Sequence, residues 1–275
     1  MIPMSFSSAA ASFDNTALLV DDVPHLKGPV CVLRWAGLCM FRNSSVLPTV
    51  VSSVMILVLV GVLISMFFSS VNDAFFHRLS NAVWMIHSTT IYVLVAYDII
   101  FRKESLVKFM HTLLRSHANE LFSKHGYVDS DYDTNVKRVS WLITTLVALG
   151  VIINLTCVSV VYLSADGFYT ILPLTRKLWF TVFGICFWYF YSYGWFLSMM
   201  FICIPSYALV CRTKALVSRI TASRTGYNKE LSVAQLMDWY DELHGANKLL
   251  VSKVSLMTTV NIGICAPLTA FRLEP

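Results

Sequence analysis

Five long stretches of the chain carry almost no charge: residues 47–68, 81–100, 139–165, 178–211 and 254–271. A helix needs about 20 predominantly apolar residues to cross a hydrocarbon core of about 30 Å, so each stretch predicts a membrane-spanning helix. The second reaches Asp98, which places that carboxylate at the membrane edge. The fourth runs for 34 residues, which at about 1.5 Å per residue exceeds the core thickness. It must tilt, kink or project beyond the bilayer, and Pro205 is the natural place for a break.

The polar segments are patterned too. In the loop 101–138, Leu106, Phe109, Met110, Leu113 and Leu114 recur at helical spacing and predict a helix just beyond the second span. In the loop 212–250, Leu236, Tyr240, Leu243, Asn247 and Leu250 step by 4, 3, 4 and 3. That spacing predicts one stripe of a helix running into the fifth span. Residues 224–229, with Gly226 among them, read as the turn between the fourth and fifth helices.

Composition turns these elements into a class. Of 275 residues, 56% are hydrophobic and 13% charged, and the mean hydropathy is +0.65, whereas a soluble domain carries about 25% charged residues. This excludes an ordinary soluble domain, and the aliphatic and aromatic load excludes a disordered chain. The net charge of +5 matters less than its distribution. Three basic residues precede the first span, seven lie in the loop 101–138 and six in the loop 212–250, against Arg78 alone in one remaining loop and Arg176 and Lys177 in the other. The positive-inside rule then puts the N-terminus and both long loops in the cytosol. Residues 1–24 lack the basic start and apolar run of a signal peptide. The expectation is an all-α polytopic transmembrane helix bundle of inverted topology in the plasma membrane, with a cytosolic segment 1–46 and a membrane domain 47–275. After five spans the C-terminus lies outside.

The candidate chemistry is sparse. The seven cysteines form no C-x-x-C pair, and no nucleophile–base set, metal-ligand spacing or phosphate-binding loop occurs. The chain is expected to be no enzyme, to carry no cofactor or metal and to bind no nucleic acid. His87, with Trp84 and Tyr92 nearby on the second span, is too polar to face lipid. It reads either as a ligand or gating histidine or as a neutral imidazole hydrogen-bonded inside the bundle. Asp98, followed by Arg102 and Lys103, reads as an interfacial ion pair. Asn154 reads as a ligand contact or as a polar link between helices. The fourth span is dense in rings, including Phe187, Trp188, Tyr191 and Trp195. Phe187 and Tyr191 share a face, as do Trp188 and Trp195, and either a small-molecule pocket or core packing with interfacial anchoring accounts for them.

Two segments carry a family resemblance. His25-Leu26-Lys27 through Leu33-Arg34-Trp35-Ala36-Gly37-Leu38 resembles the cytosolic opening of arthropod gustatory receptors, and Tyr240-x-x-Leu243-x-x-x-Asn247 resembles the helix that leads into their fifth span. The resemblance implies a receptor for a small-molecule tastant, built as a subunit of a tetrameric ligand-gated cation channel, homomeric or heteromeric. It places the pocket at Trp84, His87, Asn154, Phe187, Trp188, Tyr191 and Trp195. Coupling to the pore would pass through Leu106, Phe109, Tyr240, Leu243 and Asn247. Members of that family continue through a sixth span and a seventh that lines the pore, so the ending at Pro275 reads as truncation and the resemblance implies a chain that does not conduct alone. The alternatives are a G-protein-coupled-receptor-like protein or an accessory or transporter-type membrane protein.

Overall fold

The computed structural model describes residues 24–36, 38, 54, 57, 75–101, 105–116, 121–122, 128, 130–163, 178–224 and 232–273. Among them are six α-helices and no strand: α1 (Lys27–Trp35), α2 (Phe75–Phe101), α3 (Ser105–Leu114), α4 (Tyr132–Leu163), α5 (Leu178–Arg224) and α6 (Val233–Leu273), with a 3-10 turn at Pro24–Leu26. The expected first span lies outside the described residues except for Val54 and Leu57, both helical and exposed. The expected turn at 224–229 also lies outside them, apart from Arg224 at the end of α5.

Helix α5 is the axis of the bundle, packing on α2, α3, α4 and α6. It runs antiparallel to α4, because Asn154 meets Ser192, Gly150 meets Phe196, and Tyr132 meets Arg212. Some 20 residues separate Ser192 from Arg212, or about 30 Å of helix. The helix continues unbroken through Pro205, where a break was expected. Proline there removes one intrahelical bond, to the Phe201 carbonyl, and packing holds the rest. Pro205 itself is buried. Helix α6 likewise joins the expected cytosolic helix and fifth span in one piece of 41 residues. It opens on a capping box in which Ser232 and Gln235 each accept the other's backbone N–H.

Two helical segments, Tyr132–Cys157 and Ser192–Ala222, are long and apolar enough to cross a membrane. In α4 the amphipathic pattern is reversed. Its buried side carries Tyr132, Val136, Ser140, Thr144, Val147 and Val151, while Trp141, Leu142, Leu146, Leu149, Ile152 and Ile153 are exposed. Only 22% of its apolar window is buried inside the protein. Ser140 and Thr144 are buried while the exposed side is mostly aliphatic, although Thr145 and Thr156 are also on it. A helix that displays its leucines and isoleucines suits an apolar surround.

The segment expected as a cytosolic opening is a core element. Ser140 Oγ donates to the His25 carbonyl at 2.5 Å, and His25 Nε2 lies 3.1 Å from Asp133 Oδ1. Gly28 sits so close to Thr144 that an added Cβ would lie 2.6 Å from Oγ1. Ser140 and Thr144 fall within the expected third span, so α1 packs alongside that span. At its far end Tyr189 donates to the Trp35 carbonyl and Tyr92 to the Ala36 carbonyl, both at 3.0 Å.

Candidate functional site

Three of the long helices meet at one part-buried polar junction. His87 of α2 is 1% exposed, and its Nε2 lies 2.6 Å from Asn261 Oδ1 of α6. Ser198 of α5 donates to the same Oδ1 at 3.4 Å. With Oδ1 accepting from both, Nε2 must carry a proton. Trp195 of α5 stands edge-on to the imidazole, with ring centroids 4.9 Å apart. The next two residues of α2, Ser88 and Thr89, carry buried hydroxyls that find no partner among the described residues, but at about 100° and 200° around the helix from His87 they leave α2 in other directions.

The junction depends on a close approach of α2 and α5. Gly194 presses against the backbone of Ser88, whose carbonyl oxygen would lie 2.3 Å from an added Cβ. Small residues at such crossings let helix backbones draw together in an apolar medium.

A second link lies along α5. Asn154 Nδ2 of α4 donates to Ser192 Oγ at 2.6 Å, and that hydroxyl donates to the Trp188 carbonyl at 2.7 Å. Asn154 therefore acts as an interhelical tie. Trp188 is half-buried against the apolar core. The side chains of Trp84, Phe187 and Tyr191 lie outside the described residues. The structure thus gathers His87 and Trp195 in one junction and ties Asn154 to the turn that carries Trp188.

Sequence reasoning missed Asn261 and Ser198. Asn261 is separated from His87 by 174 residues, and its signal was only that of a lone amide in the apolar run 254–271.

At the other end of the α4–α5 pair, Arg212 is 1% exposed. Its Nη2 donates to the carbonyls of Leu113, at 3.3 Å, and Arg115, at the C-terminus of α3. Its guanidinium lies 4.0 Å from the Phe122 ring centroid and 5.0 Å from that of Tyr132. A cation at a helix C-terminus satisfies terminal carbonyls and opposes the helix dipole. Asp98 does the converse for the start of α3, accepting the Leu106 N–H at 2.8 Å. The expected ion pair of Asp98 with Arg102 and Lys103 lies outside the described residues, and the observed role of the carboxylate is to cap α3.

The expected coupling residues divide. Leu106 and Phe109 are buried in α3, as are Met110, Leu113 and Leu114, and Leu243 is buried in α6. Tyr240 is 55% exposed and stacks on His244, and Asn247 is exposed, so the stripe expected across 236–250 is corrected. The buried arc of α6 is set by Trp239, Leu243, Ala246 and Leu250. At about 100° per residue, Tyr240 and Asn247 fall roughly 70–90° from its centre. Trp239, 1% exposed, is the anchor that the 4-3-4-3 reading passed over.

Among the described residues no three His, Cys, Asp or Glu side chains converge to hold a metal ion. The arrangement offers hydrogen bonding and ring contact between helices. No family model matches the chain, and neither a curated protein nor a solved structure does.

Proposed function

We propose that this chain is a multi-pass plasma-membrane chemosensory receptor of the gustatory type, a subunit of a cation channel opened by a small-molecule tastant. Five spans in the inverted orientation belong to this reading, and so does assembly with further copies or related subunits. The observation that carries it is the junction of His87, Asn261, Ser198 and Trp195. It is a polar link at the meeting of three long helices of an apolar bundle, with His87 and Ser198 buried and Asn261 and Trp195 half-buried. Intramembrane polar residues are expensive, and in membrane proteins they mark ligand and ion sites. The reversed amphipathicity of α4 supports the membrane setting.

The mechanism follows from differential binding. A ligand that hydrogen-bonds to His87 or Asn261 replaces helix-to-helix bonds, and so favours a packing in which α2, α5 and α6 are rearranged. Helix α5 continues from the junction to Arg212 without interruption, so a shift or rotation at Ser198 reaches the α3 C-terminus held by Arg212. The exposed Tyr240 and Asn247 stand at the corresponding part of α6, open to a neighbouring subunit.

The test is expression of the chain in cultured insect cells loaded with a calcium indicator and challenged with a panel of sugars and plant alkaloids. The expected result is a calcium rise to at least one compound when the chain is co-expressed with a further receptor subunit. Replacement of Asn261 by Ala should blunt it at equal surface expression. Surface expression without a response to any compound, alone or with a co-expressed receptor subunit, refutes the receptor reading. An N-terminal epitope tag that is labelled on unpermeabilised cells refutes the orientation.

A further inference from the structure

The exposed face of α4 changes character within one turn. Lys137 and Arg138 are exposed, and Trp141 and Leu142 follow directly on the same side of the helix. Beyond them the face is mostly apolar, with Leu146, Leu149, Ile152 and Ile153 exposed as far as Val160, which is 61% exposed. The two threonines on it are Thr145 and Thr156, the latter turning its hydroxyl back to the Ile152 carbonyl. From Trp141 to Val160 is 19 residues, about 28 Å of helix, close to the thickness of a hydrocarbon core. Among the described residues neither cation makes an ion pair or hydrogen bond, and the Trp141 indole N–H is likewise unpartnered there. The nearest carboxylates in sequence are Asp133, in the first turn of α4, and Asp131, just before it. Asp133 is engaged by His25, and Asp131 is exposed at the helix start. Lys27, also exposed, opens α1 two residues past the carbonyl that Ser140 holds.

From this sequence of two free cations, an indole at the boundary and an apolar face of bilayer depth, we infer that Lys137, Arg138 and Trp141 form a docking site for an acidic phospholipid. The headgroup phosphate lies against the two cations, with the acyl chains along Leu142, Leu146 and Leu149. Arginine suits this task because its planar donor fork matches phosphate oxygens. Tryptophan suits the boundary because its ring is apolar and its N–H is wet. A soluble anion would meet the same two charges but gain nothing from the apolar face, which is why the lipid is the occupant. The inference rests on the membrane reading of α4.

The experiment reconstitutes the full chain into phosphatidylcholine vesicles containing equal mole fractions of either brominated phosphatidylserine or brominated phosphatidylcholine. The Trp141 signal is isolated as the difference between the unaltered protein and Trp141→Phe. Bromine quenches an adjacent indole, so the relative quenching reports the relative affinity of the two lipids for that face. The expected preference for the acidic lipid is about fivefold per cation, or up to about 30-fold for the pair, and it weakens with added salt. The double substitution Lys137→Gln and Arg138→Gln should abolish it, while Lys248→Gln on α6 leaves it in place. Equal quenching of Trp141 by both lipids overturns the headgroup site and leaves the membrane reading standing. Trp141 quenched by neither lipid overturns both. An acidic-lipid preference that survives the double substitution also overturns the site.

Discussion

Replacing Gly194 by alanine adds one methyl group at the tightest crossing in the bundle. The new Cβ would stand 2.3 Å from the Ser88 carbonyl oxygen, 3.0 Å from its carbon and 3.3 Å from Tyr92 Cβ. Carbon–oxygen contacts settle near about 3.3 Å, so α2 and α5 must part by about 1 Å. The obstacle is backbone inside a helix and cannot swing aside as a side-chain tip would. Overpacking of this kind costs about 1–3 kcal/mol. At about 2–4 °C per kcal/mol for a chain approaching this size, the midpoint of thermal unfolding should fall by roughly 2–12 °C. Because Ser88 adjoins His87, the separation also lengthens the reach from His87 to Asn261. Gly245 supplies the reference, since nothing lies within 4 Å of a Cβ built there and the residue is exposed within α6. Alanine at that position gains up to about 1 kcal/mol of helix propensity, so Gly245→Ala should match or exceed the unaltered protein. The assay is tryptophan-fluorescence melting of the two variants and the unaltered protein in one detergent. A Gly194→Ala melting point equal to or above that of the unaltered protein would refute the argument from the close crossing.

Other expected outcomes test the remaining links. A double-mutant cycle on His87→Ala and Asn261→Ala should give a coupling energy of about 0.5–1.7 kcal/mol in chemical unfolding, and additivity would deny the bond between α2 and α6. Arg212→Ala should cost about 2–4 kcal/mol by removing the donor to the Leu113 and Arg115 carbonyls and the contact with Phe122, and a loss under 1 kcal/mol in the same measurement would contradict that cap. Asp98→Ala should cost about 1 kcal/mol, with faster amide hydrogen exchange appearing first at the start of α3, around Leu106. Trp239→Ala should cost about 3–5 kcal/mol and Tyr240→Ala less than about 1 kcal/mol in parallel melts, a ranking that reverses if the 4-3-4-3 stripe faces the core after all.

Much of this protein was legible as local pattern. Uncharged apolar runs are a property of neighbouring residues, and they located α2, α4, α5 and α6 without reference to anything else in the chain. The period of Leu106, Phe109, Met110, Leu113 and Leu114 was equally local, and all five are buried. What the tertiary structure decided concerns the groups whose partners are distant. Pro205 reads as a break, yet packing on both sides keeps α5 continuous. The residues around His25 carry only a resemblance to a cytosolic opening, and nothing in their spacing shows that Ser140 and Thr144 draw them onto α4. Asp98 also caps α3 by accepting the Leu106 N–H, a role that spacing to Arg102 and Lys103 does not announce. Tyr240 and Asn247 fit the stripe by spacing, and Trp239 turned α6 away from them. A lone histidine in an apolar run announces that its burial must be offset by some partner. Periodicity cannot say which one, because the bond to Asn261 joins residues 174 positions apart and exists only once α2 and α6 have been brought side by side against α5.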